Sequence, residues 1–141
     1  MTIDSNPKPW VKYLDAIAAA RAEVAKLAGK VDAIVALTHL SLEQDAEFVA
    51  AVPGIDLVLG GHEHENWLMY RGRFVPVVKA DANARSLAVV SMTFGRPGAR
   101  PEIAARLMPI DDTIAAEPAV DAVARGWVER GFEAFRRQGF A

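Results

Sequence analysis

Apolar residues recur at helical spacing across positions 10–28, where Trp10, Leu14, Ile17, Val24 and Leu27 share one side and Lys12, Asp15, Arg21, Glu23 and Lys26 lie mostly on the other. The spacing predicts an amphipathic helix ending at Gly29, a residue suited to the left-handed turn that closes helices. The rhythm then changes. Val31-Asp32-Ala33-Ile34-Val35-Ala36-Leu37-Thr38 is a short apolar run rich in β-branched residues, which predicts a buried strand with His39 at its carboxyl end. Ser41 is placed to cap a second helix, with Glu43 and Gln44 in its first turn and Leu42, Ala46, Val49 and Ala50 as its apolar stripe. Pro53-Gly54 stops it, and Ile55-Asp56-Leu57-Val58-Leu59 repeats the buried-strand pattern before Gly60-Gly61-His62-Glu63-His64.

Strand, helix and strand joined by short connections predict a parallel pair, whose ligand sites lie beyond the carboxyl ends of the strands. Both histidine segments fall there. After position 66 the pattern is that of a hairpin, Trp67-Leu68-Met69-Tyr70 and Phe74-Val75-Pro76-Val77-Val78 around Arg71-Gly72-Arg73, with Pro76 suggesting an edge or a bulge. Positions 87–94 and 102–108 predict two more strands around Gly95-Arg96-Pro97-Gly98, so this part of the chain is antiparallel. Positions 117–138 predict a closing helix with Pro118 in its first turn, although Gly126 and Gly131 weaken it. Trp10, Trp127, Phe132 and Phe135 are expected as core contacts. No internal repeat or low-complexity tract divides the chain, which reads as one α/β domain over 1–141.

Composition narrows the function. At 141 residues, 52% hydrophobic and 24% charged, with a formal charge of −2, the chain has the profile of a globular domain and lacks a basic footprint for nucleic acid or an anionic membrane. The absence of cysteine removes disulfides, thiolate metal sites and cysteine nucleophiles, and leaves the compartment open. No apolar run is long enough for a membrane span, and the opening residues are too polar for a signal peptide.

The chemistry is concentrated in three histidines, all just past the ends of two neighbouring strands. Neutral imidazole is the commonest nitrogen ligand for zinc, manganese and iron, and a sheet edge holds such groups at fixed separation. Gly60 and Gly61 let the backbone approach an ion closely, and His62 and His64, two apart in an extended stretch, would share a face with Glu63 turned away. Among the acids, Asp32 and Asp56 start their strands at the opposite end, while Asp81 and Glu65 read as solvated. Asn83 and Arg85 could border the cleft and meet an anionic substrate, and Lys79 reads as a solvated strand-end lysine. No His-Glu-x-x-His motif is present.

The run Ile34 to Leu40, then Gln44-Asp45, then Ile55 to His64, continued by Val75-Pro76-Val77-Val78-Lys79-Ala80, Arg85-Ser86-Leu87 and Met108-Pro109-Ile110-Asp111, resembles the C-terminal half of a calcineurin-like metallophosphoesterase domain, most closely the 5′-nucleotidase family. The resemblance implies half of a four-layer α/β/β/α sandwich and metal-dependent hydrolysis of phosphate esters, 5′-nucleotides among them. It implies two divalent ions (Mn, Zn, Fe or similar), with His39 and His62 on one and His64 on the other. The family's Asp-x-His, Gly-Asp and Asn-His motifs do not occur here, so the N-terminal half of the fold and the catalytic histidine are expected elsewhere. Two function classes follow: an incomplete phosphoesterase whose full-length relatives are often exported, or a metal-binding module without turnover. Half a sandwich also leaves a sheet open, which favours a homo-oligomer or a swapped dimer.

Overall fold

The computed structural model describes residues 8–139. The chain divides into two compact units, one ending at Ile110 and one beginning at Asp111. In the first, helix α1 (Ala16–Leu27) starts where Asp15 accepts a hydrogen bond from the Ala18 N–H, and it closes with Gly29 at φ +70°. The start lies later than the apolar spacing predicts, because this cap fixes it. Trp10 and Leu14 fall before the helix and are exposed, contrary to the core role expected of Trp10, which is 77% exposed.

Strand β1 (Val35–Thr38) leads to helix α2 (Leu42–Ala51), which opens as its sequence predicts. Ser41 Oγ accepts from the Gln44 N–H while the Gln44 side chain accepts from the Ser41 N–H, a reciprocal capping box. Strands β2 (Leu57–Gly60), β3 (Trp67–Arg71) and β4 (Val75–Lys79) complete a four-stranded sheet of order β1-β2-β4-β3. The hairpin β3–β4 forms as expected, but β4 also pairs parallel to β2, giving a third parallel strand. Its five residues are all buried, so a central position suits it better than an edge. Pro76 is accommodated there because pairing with β2 begins only at Val77.

Register explains how the faces differ. Ala36, Val58, Val77 and Met69 stand on one rung across the sheet. All four belong to, or pack against, the core built with Phe48, Val49 and Val52 around α2, with Ile17, Ala20 and Val24 of α1 added. The next rung, Leu37, Leu59, Val78 and Leu68, projects to the other face. There Leu37 is 70% exposed, so β1 is not the buried strand its composition suggests. It has one sheet neighbour, and its alternate residues Val35 and Leu37 lie open.

Strands β5 (Ser86–Thr93) and β6 (Glu102–Pro109) form a separate antiparallel pair on either side of the predicted Gly95–Gly98 turn, with Thr93 opposite Glu102. The α/β organisation expected from the sequence is therefore the one observed: a parallel βαβ part, antiparallel strands and a C-terminal helix. In the second unit, α3 (Pro118–Arg137) is capped by Glu117. Trp127, Phe132 and Phe135 on it are exposed and not core contacts, Trp127 at 66%, with Arg130 stacked 4.9 Å from its ring centroid. Among the described residues no helix is long and apolar enough to cross a membrane.

Candidate metal centre

The parallel strands β1, β2 and β4 end together, on the rung Thr38, Gly60 and Lys79. His39 follows the first of these, and the Gly61 N–H donates to the Thr38 carbonyl, so the next histidine segment leaves the sheet beside it. The His39 and His62 rings meet edge to face, their centroids 5.4 Å apart. Both histidines are exposed at this end of the sheet.

The backbone of the Gly-Gly-His-Glu-His segment is not extended. His62 has φ +93° and His64 φ +63°, left-handed conformations that cost a non-glycine residue about 1–3 kcal/mol each. The rule that residues two apart share a face therefore does not apply to them. Two imidazoles, His39 and His62, are brought together, while no group of three or more His, Asp or Glu side chains among the described residues is placed to hold one ion. His64 is held through its carbonyl, which accepts from the Ala82 N–H and from Arg85.

Beneath the histidines lies a buried charge cluster. Lys79 shares the parity of Val77 and points to the face covered by α2, which is why it is 1% exposed and not the solvated lysine expected. Its ammonium donates to the Leu40 carbonyl at 2.7 Å, the Gly61 carbonyl at 2.9 Å and Glu63 Oε2 at 2.5 Å. Those three bonds use its three protons. Asp45 Oδ2, fully buried on α2, stands 2.8 Å from the same nitrogen as an ion pair but receives no hydrogen bond, and Thr38 Oγ1 beside it is likewise unpartnered. Glu63 turns to Lys79, and its other oxygen accepts from the Leu42 N–H at 2.7 Å. Partial burial pushes the Glu63 carboxyl up, but the Lys79 hydrogen bond and charge and the Leu42 N–H outweigh it, so its pKa lies below the ordinary value.

Asp81 is engaged as well. It accepts from Ser86 Oγ and from the backbone and side-chain nitrogens of Asn66, and these bonds hold its carboxyl below the usual range. It ties the loop after β4 to the start of β3. Asn83 sits exposed in the 3₁₀ turn Ala82–Ala84 with φ +60°, and the Arg85 guanidinium binds the Ala82 and His64 carbonyls, so that turn is fastened to the histidine segment. Asp56 accepts from the Ile34 N–H at 3.0 Å, at the start of the strands, away from the site.

Sequence reasoning missed Asp45 and the burial of Lys79. Both were signalled: Asp45 stands on α2's apolar stripe, three residues after Leu42 and four before Val49, and Lys79 continues the alternation of Val75 and Val77.

The donor chemistry fits one end of a metal site. With nitrogen–metal bonds of about 2.1 Å, two imidazoles on one ion would have centroids roughly 5 Å apart, near the separation found for His39 and His62. Two neutral nitrogens do not fill a coordination shell or balance an ion's charge, and the nearby acids Asp45, Glu63 and Asp81 are committed to Lys79, Ser86 and Asn66.

No family model matches the chain. In sequence it is 28% identical over 140 residues to a snake venom 5′-nucleotidase of Naja atra, covering 84% of this chain and 26% of that protein. It is 32% identical over 116 residues to the 5′-nucleotidase of Mus musculus, covering 67% of this chain and 20% of the relative. It is also 39% identical over 62 residues to the trifunctional nucleotide phosphoesterase protein YfkN of Bacillus subtilis, covering 43% and 4%. In structure it superposes on the 5′-nucleotidase precursor of Thermus thermophilus with a TM-score of 0.73 at 21% identity, covering 94% of this chain and 30% of that one. The chain thus spans about a quarter or less of the length of the curated relatives it matches.

Proposed function

We propose, for a chain homologous to the 5′-nucleotidases, that its histidine end is one part of a dinuclear metal centre for the hydrolysis of nucleotide phosphoesters. The observation that carries the reading is the meeting of His39 and His62 at the ends of adjacent parallel strands, in a fold shared with a 5′-nucleotidase precursor. His39 and His62 would hold one divalent ion and His64 the other, with manganese, zinc or iron suited to imidazole. A bound ion pair supplies hydroxide near neutral pH and stabilises charge on the phosphoryl group. Arg85, already fastened beside His64, and Asn83 would face the anionic substrate.

The remaining donors, carboxylates among them, come from polypeptide outside these residues, either a complementing segment or a second copy of the chain. The isolated chain is accordingly expected to take up metal with little or no turnover. The test is elemental analysis of untagged protein incubated with manganese or zinc, together with hydrolysis of 5′-AMP in the presence and absence of the metal-domain portion of a relative that this chain does not match. Metal uptake that falls at least tenfold in His39→Ala and His62→Ala, with hydrolysis only in the complemented mixture, supports the reading. Equal uptake by His62→Ala refutes the ligand assignment, and metal uptake without hydrolysis in any mixture leaves a binding module.

A further inference from the structure

Each hydrogen bond from Lys79 ends on a residue next to a histidine. Leu40 follows His39, Gly61 precedes His62, and Glu63 lies between His62 and His64. One buried ammonium therefore grips both segments that carry the imidazoles. The grip opposes strain, because His62 and His64 are both in left-handed backbone and neither is a glycine. Asp45 completes the arrangement from α2, its Oδ2 standing 2.8 Å from the Lys79 nitrogen.

We infer that Lys79 is the positioning residue of the histidine site, fixing the His39–His62 pair by tying the Leu40 and Gly61 carbonyls and the Glu63 carboxylate to the end of β4. It touches neither imidazole and acts only through the peptide segments it holds. The inference rests on the reading of His39 and His62 as metal ligands for its consequence, but not for its geometry. Three hydrogen bonds to a charged donor are each stronger than a neutral bond, and a buried lysine held this way has little rotamer freedom left. Replacing it releases two carbonyls and two carboxylates at once, at the base of a strained loop.

The test uses the full chain and two readouts. Without metal, the edge-to-face contact of the His39 and His62 rings gives a nuclear Overhauser cross-peak between their imidazole protons; with zinc alone, calorimetry gives the dissociation constant. In Lys79→Met the cross-peak is expected to vanish and zinc to bind at least tenfold more weakly, while the amide spectrum of β5 and β6 stays dispersed. Because the chain contains no cysteine, Lys79→Cys can be alkylated in the unfolded state with bromoethylamine and refolded. The thioether ammonium this creates should restore both readouts. Glu63→Gln, which keeps the side-chain shape but removes the charge, should weaken zinc binding severalfold and decides the matter if Lys79→Met does not fold.

A wild-type cross-peak and zinc affinity in Lys79→Met, or in Glu63→Gln where the former cannot be folded, overturns the inference. Absence of zinc binding by the wild-type chain with the cross-peak intact instead overturns the ligand reading and leaves the positioning role to be decided by the cross-peak.

Discussion

Replacing Gly60 by alanine tests the buried cluster without touching any charged group. Gly60 has a φ outside the left-handed region, so alanine is conformationally permitted, and the lower entropy of the unfolded chain would favour it by about 0.4–1 kcal/mol. Space opposes it. A Cβ there would lie 2.8 Å from Lys79 Cε, 3.1 Å from Thr38 Oγ1 and 3.2 Å from Asp45 Oδ2. Reaching an ordinary contact of 3.4 Å requires Lys79 to retreat by 0.6 Å, the difference between those two distances. Its ammonium is fastened at three points, so the retreat stretches at least one charged hydrogen bond toward the limit of its range. Overpacking of about 1–3 kcal/mol plus part of a charged hydrogen bond, about 1.5–3 kcal/mol, outweighs the entropic gain.

The expected result is a net loss of roughly 2–4 kcal/mol, against a total stability of about 5–15 kcal/mol for a domain. Urea unfolding should read it through Trp67 on β3, in a background where Trp10 and Trp127 are phenylalanine. With a urea slope of about 1–3 kcal/mol/M, the midpoint should fall by roughly 1 M or more. Gly95→Ala, in the same unit as Trp67, is the control: its φ lies outside the left-handed region and nothing stands within 4 Å of its Cβ, so stability should hold or rise by about 0.4–1 kcal/mol. A Gly60→Ala midpoint indistinguishable from wild type would refute the close packing of Gly60 against Lys79, and with it the account of why that strand position is a glycine.

The remaining predictions concern charge and caps. Glu63 has a folded pKa below its unfolded value of about 4.3, so it contributes stability that is present above that pH and is lost as the pH falls through the folded pKa; Glu63→Gln should flatten the stability loss as the pH falls below that unfolded value, and an unchanged slope would contradict the Lys79 pairing. Ser41→Ala removes one half of the α2 capping box and should cost about 1 kcal/mol in the same unfolding assay, with Gln44→Ala costing less because it breaks only the return bond. Arg85→Ala should change stability by no more than about 0.5 kcal/mol, since its bonds are exposed, while accelerating amide exchange at Ala82.

Much of this arrangement was legible in the residues. Local chemistry set α2, because Ser41 and Gln44 are enough to close a cap, and it set the β3–β4 and β5–β6 hairpins through their turn residues and alternation. The two strand ends that carry His39 and His62 were legible for the same reason: a β-branched run stops where the polar segment begins. Tertiary structure decided the rest. That β4 pairs with β2 depends on contacts between segments distant in sequence, and this pairing sends Lys79 beneath α2 instead of into solvent. Whether β1 is covered depends on what lies beyond its open side, so an apolar composition alone made Leu37 look buried. The aromatic stripe of α3 shows the same limit, since periodicity identifies a face but not a partner. Backbone conformation overrode the alternation expected of His62 and His64: both stand in left-handed turns, beside Gly61 and Glu63 bonded to Lys79 and an Ala82 turn bonded to the His64 carbonyl, and a rule based on extended spacing has no means of registering that.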